Sequence, residues 1–216
     1  MGSMKKRQPD RRPISARENL FSQQTSHLLA KWQVTPNYIS IASILFSAVV
    51  AGCLIMTSQK NSPIYWLLAA VFIVLRLFAN MLDGMVAVET DVTSPIGELF
   101  NEVPDRISDI IIFIGAGYAY GGVESLGYLA AVMSLLVAYI RALGNYMGAD
   151  KLFLGPMAKS HRMFALAILC VCYGTFSSFY SIPVLMTWGM VVIVLGCALT
   201  FIRRLQRIVA EVRHDQ

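Results

Sequence analysis

The sequence predicts an all-α integral membrane protein: six transmembrane helices preceded by an N-terminal juxtamembrane amphipathic helix. Three observations predict it. Of 216 residues, 56% are hydrophobic and only 14% are charged, against about 25% charged in soluble domains. Six apolar runs each approach the ~20 residues that a helix needs to cross a bilayer. Lys and Arg are so unevenly placed between alternate connections that they set the orientation as well.

Residues 1–34 form a basic tail followed by an interfacial segment. The first twelve are basic and contain proline, and residues 15–32 interleave Leu20, Phe21, Leu28, Leu29 and Trp32 with polar side chains, as suits a helix lying on a membrane surface. His27 stands in this polar stretch with no other ligand type beside it, and the sequence assigns it no role. No apolar stretch precedes about residue 37, so a cleavable signal peptide is not expected.

The membrane domain spans residues 35–202. Its first run, 37–56, follows Thr35 as a cap candidate and Pro36, a pair that opens helices. The second run, 64–88, starts after Pro63, which suits a first helical turn. The third, 96–119, starts after Ser94 and Pro95 and contains Pro104, which loosens a helix one residue before Asp105. The fourth, 126–147, ends near Arg141 and Asn145. The fifth, 163–179, is the shortest, and the sixth, 182–202, leads into a basic tail at 203–216. Tyr173, Phe176, Phe179, Tyr180 and Trp188 are expected at the outer interface.

With both termini on the cytoplasmic side, that side receives fourteen Lys and Arg residues and the other receives only Lys60, leaving Arg76, Arg106 and Arg141 within the spans. The expected location is a bacterial inner membrane. The net charge of +5 sits beside apolar spans, so anionic headgroups rather than nucleic acid are the expected partner. Cys53, Cys170, Cys172 and Cys197 all lie in apolar runs without CxxC spacing and are expected to behave as small buried hydrophobes.

The chemistry is concentrated in residues 76–109, RLFANMLDGMVAVETDVTSPIGELFNEVPDRISD. Charge at membrane depth is costly and usually functional. At 3.6 residues per turn, Arg76, Asn80, Asp83 and Ala87 share one narrow face of the second span. Glu98, Asn101, Glu102, Asp105 and Asp109 fill an arc of about 100° on the third. The connection is short, so the two spans run antiparallel and the polar faces can meet in a pocket of oxygen ligands open at the loop end. Crowded carboxylates need a cation or proton among them. Hard oxygen donors without His or Cys suit Mg²⁺ or Mn²⁺ acting with phosphate oxygens of a substrate. The alternative is a hydrogen-bonded network in which Arg76 and Arg106 neutralise the acids.

Asn80, Asp83, Gly84, Ala87, Val88, Gly97, Asn101 and Asp105 resemble the signature of the CDP-alcohol phosphotransferases, D-x2-D-G-x2-A-R-x8-G-x3-D-x3-D. Every spacing fits. Three positions depart from it: the first and third acids are Asn80 and Asn101, and the Arg is Val88. The opening VTPNYIS of the first span is similar to the family as well. The resemblance implies transfer of a phosphatidyl group from a CDP-linked lipid such as CDP-diacylglycerol to an alcohol, with release of CMP, a divalent metal and often a dimer. It implies Asp83, Asp105, Asn80 and Asn101 as metal ligands, Asp105 also as catalytic base, and Gly84, Ala87 and Gly97 bordering the nucleotide. Glu98, Glu102 or Asp109 stand on the arc where they can restore charge. Arg141, Lys159 and Arg162 are expected to bind the acceptor, which favours a phosphorylated alcohol. Two other classes remain open: a weakened homologue that binds nucleotide or lipid as a partner subunit, and a divalent-cation carrier.

Overall fold

The computed structural model describes residues 19–60, 62–90, 95–149, 154–176 and 183–214, and all regular structure among them is helical. Seven helices follow in order: α1 Leu20–Lys31, α2 Pro36–Gln59, α3 Pro63–Glu89, α4 Pro95–Gly117, α5 Glu124–Tyr146, α6 Lys159–Phe176 and α7 Val184–His214. Residues 1–18, most of the basic tail, and Lys151, Phe179 and Tyr180 lie outside the described residues.

Proline sets three of the starts. Pro36, Pro63 and Pro95 each occupy the first residue of a helix, where the missing N–H costs nothing and φ is already helical. The Thr35 side chain makes no capping hydrogen bond, so proline alone marks that start. Asn19 does cap α1, its side-chain oxygen accepting from the Phe21 amide at 3.3 Å. α4 runs through Pro104. α7 does not stop at residue 202: it carries the RRLQR run on to His214. Arg204 is buried there and donates to the carbonyls of Leu154 and Val137 at 3.1 and 2.8 Å.

Four helices, α2, α3, α5 and α7, are long and apolar enough to cross a membrane on length and composition. α4 and α6 carry the site's charges. The outer surfaces of the bundle are apolar, with Leu45, Val71, Leu129, Ile168 and Leu195 all exposed, far more than a soluble monomer tolerates. Such faces belong against lipid.

α2 packs on both α3 and α4, α3 on α6, α4 on α5, and α7 on α5 and α6, while direct contact between α3 and α4 is slight. Small residues permit the closest approaches. A Cβ on Gly127 of α5 would sit 2.8 Å from the Cα of Gly117 in α4, so the two backbones meet there. The main apolar core is built around Trp66, Ile73, Phe113, Met163 and Met190. Trp66 stacks on Tyr173 with ring centroids 4.3 Å apart. Tyr173 is therefore buried rather than interfacial, its hydroxyl donating to the Pro183 carbonyl and accepting from the Met186 amide, each at 3.0 Å. Phe176 and Trp188 are exposed as expected, and all four cysteines are free, Cys170 and Cys197 being buried.

α1 is inverted relative to a helix on a soluble protein. Ser22 and Ser26 are its buried residues, whereas Leu20, Phe21, Leu28 and Trp32 are exposed. It packs on the end of α3, where Ser26 Oγ donates to Glu89 Oε2 at 2.8 Å and His27 Nδ1 lies 2.6 Å from Glu89 Oε1.

Candidate active site

Four helices bring polar side chains together at the charged half of the bundle. α3 supplies Arg76 and Asp83; α4 supplies Asp105 and Asp109; α6 supplies Lys159 and Arg162; and α2 supplies Ser40. The faces expected from helical periodicity do converge, through side chains rather than through close contact of α3 and α4.

Asp83 is 1% exposed. Its Oδ2 accepts from Ser40 Oγ at 2.8 Å, whereas Oδ1 is buried without a hydrogen-bond partner. Asp105 is 3% exposed, with Lys159 Nζ on its Oδ2 and with Arg106 Nη2 3.8 Å from the same oxygen. Its Oδ1 also lacks a hydrogen bond, although Arg76 Nη2 lies 3.5 Å away. Asn80 and Asn101 are half-buried.

Behind these groups lies a closed ion triad. Asp109 Oδ1 accepts from Arg76 Nη2 at 2.7 Å, and its Oδ2 accepts from Arg162 Nη2. All three side chains are within 1% of complete burial. Arg76 also donates to the Asp105 carbonyl at 3.2 Å, which couples the triad to the candidate base. In front of it, Glu102 accepts from Arg106 at 3.0 Å and from Arg141 of α5.

The acids proposed as spare ligands are thus already engaged: Glu102 with two cations and Asp109 with two. The side chain of Glu98 lies outside the described residues. Arg162, expected to face an acceptor, is enclosed on Asp109, while Arg141 and Lys159 keep 33% and 23% of their side-chain surface. Lys159 and Arg162 belong to the first turn of α6 rather than to a loop.

Asp83 Oδ1, buried without a hydrogen-bond partner, fits a cation, since an unpaired carboxylate in low dielectric is costly, whereas Asp105 already stands among Arg76, Arg106 and Lys159. Among the described residues no group of three or more His, Cys, Asp or Glu stands ready for a metal. At two of the four signature positions, Asn80 and Asn101, the side chain is a neutral amide rather than a carboxylate.

Gly84 and Val88 line a cleft of about 640 Å³ between α1 and α3, together with Gln23, Ser26, His27, Met85 and Glu89. A second cleft of about 320 Å³ among α1, α2 and α3 is apolar, lined by Leu29, Tyr38, Phe46, Phe78 and Leu82 among others. Sequence reasoning missed Ser40, His27 and Glu89 as partners, for each bond joins residues more than 40 positions apart.

The model of one family, CDP-alcohol phosphatidyltransferase, matches residues 33–202. The chain belongs to this family. Among the transferase's relatives, the archaetidylinositol phosphate synthase of Aeropyrum pernix is 30% identical over 187 residues, which cover 86% of this chain and 88% of that one. The inner membrane protein YnbA of Escherichia coli is 30% identical over 138 residues, 64% of this chain and 67% of YnbA. The fold is that of a solved structure, the phosphatidylinositol phosphate synthase of Mycobacterium tuberculosis with CDP-DAG bound. It superposes with a TM-score of 0.69 at 21% identity, over 88% of this chain and 94% of that one. The same synthase in complex with manganese and citrate gives a TM-score of 0.70 at 20% identity, over 87% and 88% of the two chains. Two of the signature positions, Asp83 and Asp105, are buried carboxylates in this structure.

Proposed function

We propose that this transferase moves a phosphatidyl group from a CDP-linked lipid such as CDP-diacylglycerol to a phosphorylated alcohol and releases CMP. The observation that carries this reading is the pair of buried carboxylate oxygens, on Asp83 and Asp105, that stand without hydrogen-bond partners at the signature positions of the family. Asp83, Asp105, Asn80 and Asn101 would hold one Mg²⁺ or Mn²⁺. That ion would supply positive charge against the donor's diphosphate.

Each remaining role falls to the chain's own residues. Gly84, Ala87 and Gly97 leave room for the nucleotide, having little or no side chain. The apolar cleft beside Phe46 and Phe78 suits a lipid tail. Asp105 takes the proton of the acceptor hydroxyl while that oxygen bonds to the lipid-bearing phosphorus and the bond to the CMP oxygen breaks. Arg76, fixed by Asp109, holds the Asp105 backbone in place. Arg141 and Lys159 retain enough surface to meet an acceptor phosphate, while Arg162 is enclosed on Asp109. This much fixed charge suits an anionic acceptor, and relatives named for inositol phosphate lipids support the choice.

The same reading places α2 to α7 across the membrane with the site opening to the cytoplasm, and α1 in the interface with Leu20, Phe21 and Trp32 toward lipid. An acceptor panel tests the function: inositol phosphate and glycerol phosphate should support turnover at far lower concentration than serine or choline. Choline or serine as the best substrate would refute the assignment of the basic residues.

A further inference from the structure

Two acids in the charged half of the bundle each bridge a pair of arginines, and they differ in exposure. Asp109 is sealed between Arg76 and Arg162, its side chain wholly buried. Glu102, one residue after the signature position Asn101, is open. Its Oε2 accepts from Arg106 Nη2 at 3.0 Å, one turn further along α4, and its Oε1 accepts from Arg141 Nη2 of α5, 39 positions away. Glu102 keeps 47% of its side-chain surface, against 33% for Arg141 and 19% for Arg106. The proposed transfer gives this carboxylate no part.

Ion pairs this exposed add little to the stability of a fold, because water screens them and competes for both partners. The acid is also the most exposed member of the cluster, so it can turn outward while both guanidinium groups stay. It would leave behind two planar forks of N–H donors, the geometry that suits phosphate. A phosphate monoester carries a charge of about −1.5 to −2 at neutral pH and offers three terminal oxygens. A carboxylate offers one charge and two oxygens, so phosphate is the stronger claimant on the same donors. Arg106 Nη2 lies 3.8 Å from Asp105 Oδ2 as well, which puts this anion seat beside the candidate base.

We propose that Glu102 is an internal counter-ion of the acceptor site, holding Arg106 and Arg141 until the phosphate of the acceptor displaces it. The proposal rests on the reading that the acceptor is a phosphorylated alcohol. A competitor built into the chain lowers the apparent affinity of every anion by the same factor. Weak ligands such as chloride or a singly charged carboxylate then stay off the arginines at concentrations where a phosphate still binds. Glu102 thereby reserves the seat for the more highly charged group.

The experiment is calorimetric titration of inorganic phosphate into the full chain in detergent micelles, without divalent ion. Glu102→Gln keeps the size of the side chain and removes its charge, and it should bind phosphate about three- to tenfold more tightly than wild type. Glu102→Asp keeps the charge but is too short to bridge both arginines, so its affinity should fall between the two. A double-mutant cycle separates displacement from a general field effect. In an Arg141→Gln background the gain from Glu102→Gln should shrink to about twofold, since one of the two displaced pairs is already gone. An equal gain in both backgrounds would overturn the proposal, because the acid would then act only through its charge at a distance. Weaker phosphate binding by Glu102→Gln would also overturn it, for Glu102 would then be orienting the arginines. Failure of both wild type and Glu102→Gln to bind phosphate would overturn it too. CMP release from CDP-diacylglycerol by the same preparation, with phosphorylated and unphosphorylated alcohols, shows separately whether the transferase reading falls with it.

Discussion

Replacing Asp109 by Asn removes the one anion shared by two buried guanidinium groups. Arg76, Asp109 and Arg162 are each at most 1% exposed and belong to three different helices, α3, α4 and α6. The uncharged amide leaves Arg162 in low dielectric without its counter-ion and leaves Arg76 with Asp105 alone, 3.5 Å away. Breaking a buried ion pair in this way costs about 3–5 kcal/mol. For a chain of this size each kcal/mol lowers the midpoint by about 2–4 °C, so the variant should unfold about 6 °C or more below wild type. Buried Cys170 and Cys197 allow the transition to be followed in detergent with a thiol-reactive dye, since both thiols react only on opening. The triple variant Arg76→Met, Asp109→Leu, Arg162→Met should recover most of the loss, because exchanging a whole buried ion cluster for apolar groups of similar volume is often neutral. A midpoint for Asp109→Asn within about 2 °C of wild type would refute the argument, for it would mean that water reaches the triad or that the arginines find other partners.

Three further outcomes follow from the same geometry. Asp83→Asn should abolish Mn²⁺ binding measured by electron paramagnetic resonance, because only Asp105 would remain charged among the four signature positions; unchanged affinity would place the ion elsewhere. Restoring both acids with Asn80→Asp and Asn101→Asp should raise the Mn²⁺ stoichiometry from one to two, since the acids already paired with the five cations Arg76, Arg106, Arg141, Lys159 and Arg162 are only three, Glu102, Asp105 and Asp109; a stoichiometry that stays at one would show that these positions do not face the ion. Gly127→Val should push α5 away from α4, because even a Cβ meets backbone at 2.8 Å, and should lower thermal stability by about 1–3 kcal/mol, read in the same thiol assay; an unchanged midpoint would mean that the helices part without cost.

The helices and the signature face were legible because each rests on local order. Pro36, Pro63 and Pro95 mark starts that any chain would respect, the apolar runs have a membrane's length, and helical periodicity alone put Asp83 beside Asn80 and Asp105 beside Asn101. The partners of these residues were not legible. Whether Asp83 meets Ser40, or Asp109 meets Arg162, depends on which helices adjoin, and nothing local says that α2 lies against both α3 and α4 or that α6 lies against α3. The spare charge assigned to Glu102 and Asp109 went the same way, since on a helix face they looked available and in three dimensions each found two cations. Arg204 shows the converse: its run reads as a surface anchor, yet the unbroken α7 carries it back under α5, where it serves two carbonyls. His27 had no neighbour in sequence to give it meaning, and Glu89, 62 positions later, supplies one.

The most direct test of the account is CMP release by the purified full chain given CDP-diacylglycerol and inositol phosphate, with and without Mn²⁺ or Mg²⁺. The account predicts CMP and a phosphorylated lipid product in equal amounts, only when divalent ion and acceptor are both present, with Asp105→Asn reducing turnover by about a hundredfold or more, as loss of a general base does. Turnover that persists in Asp105→Asn, or no CMP from wild type with any alcohol at any divalent-ion concentration, would contradict it.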